Sequence, residues 1–105
     1  MSFEVIWSDF AETQLDIIFD YYAENATLKV AKQIIQEILA EPNKLIENPE
    51  IGQVEDLLLN REIKYRYLIC KNYKIIYSVD QVQNLIKVAD VFDTRQNPIE
   101  IKRTK

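Results

Sequence analysis

The apolar residues in the first part of the chain recur at helical spacing. One stripe of apolar residues consists of Ala11, Leu15, Ile18 and Tyr22. An adjoining stripe consists of Phe10, Ile17 and Tyr21. A period of three to four residues is typical of an amphipathic helix. Because Ser8 or Asp9 can supply the N-cap, the pattern predicts a first helix over residues 9–24.

A second helix is predicted to begin near Thr27, after a short turn over residues 25–27. Its buried face would consist of apolar residues at the same spacing, namely Val30, Ala31, Ile34, Ile35, Ile38 and Leu39, extended by Leu45 and Ile46. Pro42 lies within this pattern. Since proline lacks a backbone donor and clashes with the preceding turn, it should kink the helix or start a new turn. Two helices with so short a link are expected to form an antiparallel hairpin.

The second part of the chain alternates apolar and polar residues, which is the period of β-strands. This alternation predicts three successive strands, over residues 62–70, 73–79 and 85–92, and a short apolar stretch over residues 3–7 adds a fourth. Residues 71–72 form a two-residue turn. Short links between consecutive strands indicate an antiparallel meander.

The order β-α-α-β-β-β predicts an α+β fold, with the helical hairpin packed on one face of a small, mainly antiparallel sheet. A chain of 105 residues is expected to form a single domain over residues 1–105. The other face of the sheet would be partly open and would carry some of the lysines and arginines.

The composition excludes several kinds of site. The absence of histidine rules out Ser-His-Asp and Cys-His nucleophiles and histidine-containing zinc sites, and a single glycine, Gly52, rules out a glycine-rich phosphate loop. The one cysteine, Cys70, lies in an apolar strand, so we expect it to pack rather than react. With no signal-peptide pattern at the N-terminus and no apolar run near ~20 residues, we expect a cytoplasmic protein that does not span a membrane.

Charge is divided unevenly along the chain. Residues 1–60 carry three basic and twelve acidic groups, a net charge of −9, whereas residues 61–105 carry ten basic and five acidic groups, a net charge of +5. The basic part could meet nucleic acid or an acidic protein segment, or the charges could simply decorate solvated helices and strands. A dedicated nucleic-acid binder is usually basic overall, but this chain has a net charge of −4.

Two segments resemble a known family. Residues 64–77 read KYRYLICKNYKIIY, and residues 91–98 read VFDTRQNP. The first is similar to the Arg-Tyr-Leu, turn, Tyr-Arg-Ile-Ile-Tyr hairpin of the RelE/ParE superfamily of bacterial type II toxin–antitoxin toxins, and the second resembles the C-terminal motif of one branch. The Ile-x-x-Tyr-Tyr of the first helix and the bend over residues 48–52 extend the resemblance to nearly the whole chain.

The resemblance implies a small cytoplasmic bacterial toxin whose partner is a cognate antitoxin, encoded beside it, that wraps it with a helix and an extended segment. Hydrophobic grooves beside the helices and the basic sheet would then receive an amphipathic, acidic segment. ParE-like members inhibit DNA gyrase, RelE-like members cut messenger RNA on the ribosome, and a third possibility is an inactive member that only binds its antitoxin. No cofactor and no metal are implied.

Four basic residues are the candidate site: Lys64, Arg66, Lys74 and Arg95. All four are candidates for binding a target or phosphate, and the last three are candidate catalytic residues if the chain cuts RNA, since cations stabilise the developing phosphorane charge. However, no histidine follows the last strand and no tyrosine follows Tyr77, so the terminal acid of a ribonuclease has no obvious occupant. We therefore favour inhibition of a protein target over RNA cleavage.

These side chains also have interpretations without a functional role. Arg66 and Lys74 could be ordinary strand charges, and Arg95 could pair with Asp93 or Asp90 and fix the tail. Tyr65, Tyr67, Tyr73 and Tyr77 are expected in the core rather than on a base-stacking platform. Two acids without further ligands are weak evidence for a metal site.

Overall fold

The computed structural model describes residues 2–104, which form a five-stranded sheet with a helical hairpin on one face. The strands are β1 (Glu4–Trp7), β2 (Gln53–Val54), β3 (Arg66–Cys70), β4 (Tyr73–Asp80) and β5 (Leu85–Asp93). The helices are α1 (Asp9–Asn25) and α2 (Leu28–Ala40), and 3₁₀ turns cover Glu41–Leu45, Asp56–Leu58 and Pro98–Arg103. The strand order is β1-β5-β4-β3-β2, with β1 parallel to β5 and the other pairs antiparallel. The predicted α+β fold is confirmed.

The helices begin and end where local chemistry predicts. The Ser8 hydroxyl accepts a hydrogen bond from the Ala11 amide at 3.0 Å, and Thr27 caps α2 in the same way. Pro42 lies in the first turn of the 3₁₀ segment that begins at Glu41, so α2 ends just before it at Ala40 instead of kinking. The predicted burial was wrong for Val30 and Leu39, which lie on the exposed margin of α2, because the apolar stripe is wider than the surface it covers.

Three parts of the chain differ from the sequence-based prediction. The strand expected over residues 62–70 begins only at Arg66, because the preceding residues form irregular turns. Strand β2 was missed, since two residues are too few to show an alternating pattern. The final 3₁₀ segment was also missed, and Pro98 occupies its first turn.

A β-bulge in β5 changes which residues face the helices. Ile76 pairs with Asp90, but the next residue, Tyr77, pairs with Val88, so Ala89 is the extra residue. Strict alternation would therefore place Val88 and Asp90 on the same face. The bulge shifts the phase, so that Val88 packs in the cluster under the helices while Asp90 faces the other side.

Apolar clusters cover both faces of the sheet. The helix-side cluster joins α1 and α2 to the sheet through Ala11, Leu15, Ile18, Ile34, Ile38, Leu45, Leu68, Tyr73, Ile75, Tyr77, Ile86, Val88 and Val91. The second cluster consists of Leu58, Tyr65, Ile76, Ala89, Phe92 and Ile101. The second face is thus less open than expected, because the 3₁₀ turns at 56–58 and 98–103 lie over it. Tyr65, Tyr73 and Tyr77 are buried as predicted, whereas Tyr67, also expected in the core, is only partly buried. Cys70 packs against the helix-side cluster.

Tyr77 holds the bend that precedes β2. Its hydroxyl accepts a hydrogen bond from the Gly52 amide at 3.0 Å and donates to the Pro49 carbonyl at 2.8 Å. The chain approaches so closely that a Cβ atom on Gly52 would lie 2.8 Å from the Tyr67 carbonyl oxygen. Only glycine fits there without displacing backbone, which accounts for the chain's single glycine.

Replacing Tyr77 with phenylalanine should destabilise the protein by about 1–3 kcal/mol, because the buried Gly52 amide and Pro49 carbonyl would lose their partner. Urea unfolding measures this loss. Tyr21→Phe removes the same atom from a half-exposed side chain and should change stability by no more than about 0.5 kcal/mol. Equal losses in the two variants would contradict the role given to Tyr77.

Candidate functional site

The four candidate cations do not converge on one site. Lys64 and Arg66 line a hollow of about 320 Å³ beside the start of β3. Arg66 pairs across the sheet with Tyr77 on the helix side, whereas Lys74 pairs with Phe92 on the second face. Arg95 lies beyond the end of β5 and lines a different hollow. The structure therefore brings together only the first two of the four predicted residues.

Arg66 binds the bend before β2. Its Nη1 atom donates to the Gly52 carbonyl at 2.9 Å and to the Glu50 carbonyl at 3.2 Å, and Nη2 lies 3.8 Å from the Glu50 carboxylate. Together with Tyr77, this guanidinium supplies hydrogen bonds to four backbone groups of the bend. The Arg66 guanidinium thus fixes the bend through Glu50 and Gly52, while the nearby Lys64 is exposed.

Lys74 forms an ion pair beneath the surface of the second face. Its ammonium lies 2.7 Å from Glu55 Oε1, and the two side chains are only 22% and 4% exposed. The ammonium also lies 4.3 Å from the centre of the Tyr67 ring. Glu55 Oε2 accepts the Leu57 amide at 3.3 Å, so the pair ties the loop after β2 to the middle of the sheet. The charge of Lys74 is already compensated by a buried carboxylate.

Arg95 is held by a two-point contact with Asp93. Its Nε atom lies 3.0 Å from Oδ1 and its Nη2 atom 2.8 Å from Oδ2, as one of the sequence interpretations anticipated. Hydrogen bonds from Arg95 hold the pKa of the Asp93 carboxyl below its usual range. The Arg95 side chain nevertheless remains 58% exposed, so it is fixed in place and still accessible.

Sequence reasoning missed two arginines that fix the C-terminal segment. Arg103 donates to both carboxylate oxygens of Asp90 at 3.1 Å, and the Thr104 hydroxyl adds a third bond at 2.9 Å. Arg61 donates to the carbonyls of Lys102 and Thr104. The one available signal was Asp90 itself, since an acid inside an apolar strand needs a partner when buried, but the pattern did not identify which arginine would serve.

An exposed apolar stripe lies on α1. Ile17 and Tyr21 are 56% and 52% exposed, and they border a hollow of about 350 Å³. Its lining comes from α1, from the ends of β4 and β5, and from the tail, and consists of Gln14, Ile17, Ile18, Tyr21, Tyr73, Val91, Asp93, Arg95, Gln96 and Arg103. Arg95 is therefore the one sequence-predicted residue that lies in this hollow.

Two buried tyrosines of the helix-side cluster remain protonated at neutral pH. Burial raises the pKa of the Tyr73 hydroxyl, which donates to the Tyr22 hydroxyl at 3.4 Å, and burial likewise raises the pKa of Tyr77. Both phenols stay protonated and act as hydrogen-bonding groups. Among residues 2–104, no group of three or more His, Cys, Asp or Glu side chains is arranged to hold a metal ion. Neither described helix combines the length and apolar character needed to cross a membrane.

Three solved structures with a similar fold are described as toxins or toxin–antitoxin systems. The chromosomal ParDE system from P. aeruginosa superimposes with a TM-score of 0.71 and 17% identity, covering 87% of this chain and 95% of that one. The toxin–antitoxin complex RelBE2 from Mycobacterium tuberculosis gives 0.62 and 16%, covering 89% and 99%. A mutant of the E. coli toxin RelE in the free state gives 0.61 and 13%, covering 98% of each chain. At these identities the likeness establishes the fold.

The sequence itself establishes the family. No curated protein matches the chain. The family model described as ParE toxin of type II toxin-antitoxin system, parDE, matches residues 5–98, which extend from β1 to the start of the final 3₁₀ segment. Because the match spans most of the chain and both segments that carried the resemblance, this protein belongs to the family of ParE toxins of type II toxin–antitoxin systems.

Proposed function

We propose that this chain is a toxin that binds and inhibits a protein target, DNA gyrase, and that a cognate antitoxin neutralises it. The main support for this proposal is that the candidate cations of the chain lie in different parts of the fold. Arg66, Lys74 and Arg95 each contact a different acceptor, and they lie on different faces or ends of the sheet. The ParE family match, which includes the tail motif over residues 91–98, supports gyrase as the target.

Ribonuclease chemistry requires a different arrangement. Attack of a ribose hydroxyl on the adjacent phosphate needs a base, an acid and cations that act together on one phosphate. Here Lys74 is neutralised by Glu55, and the buried tyrosines have pKa values raised by burial. RNA cleavage therefore ranks second.

A binding inhibitor needs only an accessible, fixed contact surface. The Asp93 contact holds Arg95 in a defined orientation while its side chain stays largely exposed. Preorganised arginines of this kind are frequent in the energetically important part of interfaces. Arg95 is thus our first choice for a target contact, with Lys64 and Arg66 as a second basic surface on the hollow beside β3.

The two similar structures described as ParDE and RelBE2 are toxin–antitoxin assemblies, which supports an antitoxin as the partner of this chain. The exposed stripe at Ile17 and Tyr21 is the surface that we assign to it, because uncovered apolar side chains beside a hollow are typical of a docking site.

The purified protein should block supercoiling by gyrase, and Arg95→Ala should raise the concentration required about tenfold, which corresponds to about 1.4 kcal/mol of binding. Lys87→Ala is the matched control, because Lys87 is also an exposed cation paired with an aspartate. It should leave inhibition unchanged. Gyrase that remains active at high toxin excess would refute the gyrase target, and cleavage of messenger RNA on programmed ribosomes would support the second candidate.

The product of the small gene adjacent to this one should copurify with the chain and relieve the growth arrest that the toxin causes. Coexpression and affinity purification test this directly. The toxin with Ile17→Ser and Tyr21→Ser together lacks the exposed stripe. This variant should copurify less of the antitoxin, which tests the surface assigned to it. If the folded chain proves harmless without any antitoxin, it is an inactive member of the family.

A further inference from the structure

The hollow beside α1 has a donor-rich edge. Arg95 and Arg103 both line it, and each uses its Nε and Nη2 atoms on an aspartate. Their Nη1 atoms have no hydrogen-bond partner among residues 2–104. A guanidinium has five N–H groups, so both arginines retain donors for a ligand.

The acceptors near this edge are already engaged. Asp93 receives hydrogen bonds from the Asn72 side-chain amide, from the Arg95 backbone amide and from the Arg95 guanidinium. Asp90 is fully buried and receives three hydrogen bonds, two from Arg103 and one from Thr104. The hollow thus offers unused guanidinium donors beside carboxylates that are already hydrogen-bonded, which suits a ligand that brings its own acceptor.

The opposite border of the exposed stripe has the reverse charge. Glu12, Asp16 and Asp20 follow one another at four-residue intervals on α1, all three are exposed, and none forms an ion pair within residues 2–104. A segment lying on Ile17 and Tyr21 would therefore meet guanidinium groups on one side and a row of carboxylates on the other. Such polarity fixes the orientation of a partner, since the wrong orientation places like charges together.

We propose that this hollow seats an apolar side chain of the antitoxin together with a neighbouring carboxylate, which accepts hydrogen bonds from Arg95 and Arg103. The inference rests on the proposed function, since it names the chemistry of the antitoxin segment. The apolar side chain lies against Ile17, Tyr21 and Tyr73, and the carboxylate lies at the arginine edge. The antitoxin then covers Arg95, the residue that we assign to target binding.

Three small probes with one apolar body and different charges test the chemistry of the hollow: 3-phenylpropionate, 3-phenylpropionamide and 3-phenylpropylamine. Titrations followed by amide chemical shifts of the isotope-labelled protein should place all three near Tyr21 and Tyr73. The carboxylate should bind at least about tenfold more tightly than the ammonium, because of the guanidinium donors. An ammonium that binds as tightly as the carboxylate, or inorganic phosphate that binds as tightly as 3-phenylpropionate, would overturn the proposal.

Two substitutions of one ion pair should act in opposite directions. Arg95→Gln should weaken 3-phenylpropionate about tenfold, whereas Asp93→Asn should strengthen it several-fold, because it frees Arg95 from its internal partner. Lys87→Gln, which removes an exposed cation elsewhere on the sheet, is the control and should have no effect. If both variants of the pair weaken binding equally, with native-like spectra, the contact is merely structural and the proposal fails.

The final step adds the product of the adjacent small gene to the complex with 3-phenylpropionate. Displacement of the probe supports the proposal. Antitoxin that binds and relieves growth arrest but leaves the probe in place would refute this inference while the proposed function stands. Failure of that protein to bind at all would instead refute the proposed antitoxin partnership, and the proposal on the hollow's occupant would fall with it.

Discussion

Strand β4 is buried on both faces, and the rest of the structure follows from that constraint. Ile75 and Ile76 are both 0% exposed although they face opposite sides of the sheet. The helical hairpin covers one side. The other side is covered by short 3₁₀ turns, which pack Leu58 and Ile101 against the sheet. Charged contacts accompany this packing, and those with the most buried carboxylates are Asp90 with Arg103 and Glu55 with Lys74.

These structural contacts engage some of the candidate basic residues and leave others accessible. Arg66 and Lys74 lie on the strands, and both bind loops that complete the fold. Arg95 follows the last strand and pairs with its own neighbour in the chain, so it is fixed without being covered. We propose that a partner contacts the surface around the end of β5 and along α1, with the hollow beside β3 as a second basic surface. Along α1 and at the end of β5, an exposed apolar stripe would provide a modest contact area for the partner. The guanidinium edge and the acidic row on its two borders would make binding selective.

Local signals in the sequence predicted the local structure. Ser8, Thr27 and Pro42 act within one helical turn, and their effects on the helix ends were predictable or nearly so. The bulge at Ala89 reverses the phase of an alternating pattern, and no residue there is distinctive. Likewise, Glu55 and Lys74 are nineteen residues apart in sequence. Such a pair depends on how loops close over the sheet, so the sequence marked Lys74 as a cation but gave no sign of its partner.

We infer that Lys74 holds a loop on the sheet and is not a free cation for phosphate. A double-mutant cycle with Glu55→Gln and Lys74→Met, measured by urea unfolding, tests it most directly. Each single change should destabilise the protein by about 1–3 kcal/mol, because it leaves a buried charge unpaired. The double variant should lose at least about 1 kcal/mol less than the sum of the single losses. If the loss in free energy of unfolding in the double variant equals the sum of the single losses, the inference is wrong, because Glu55 and Lys74 then do not stabilise one another.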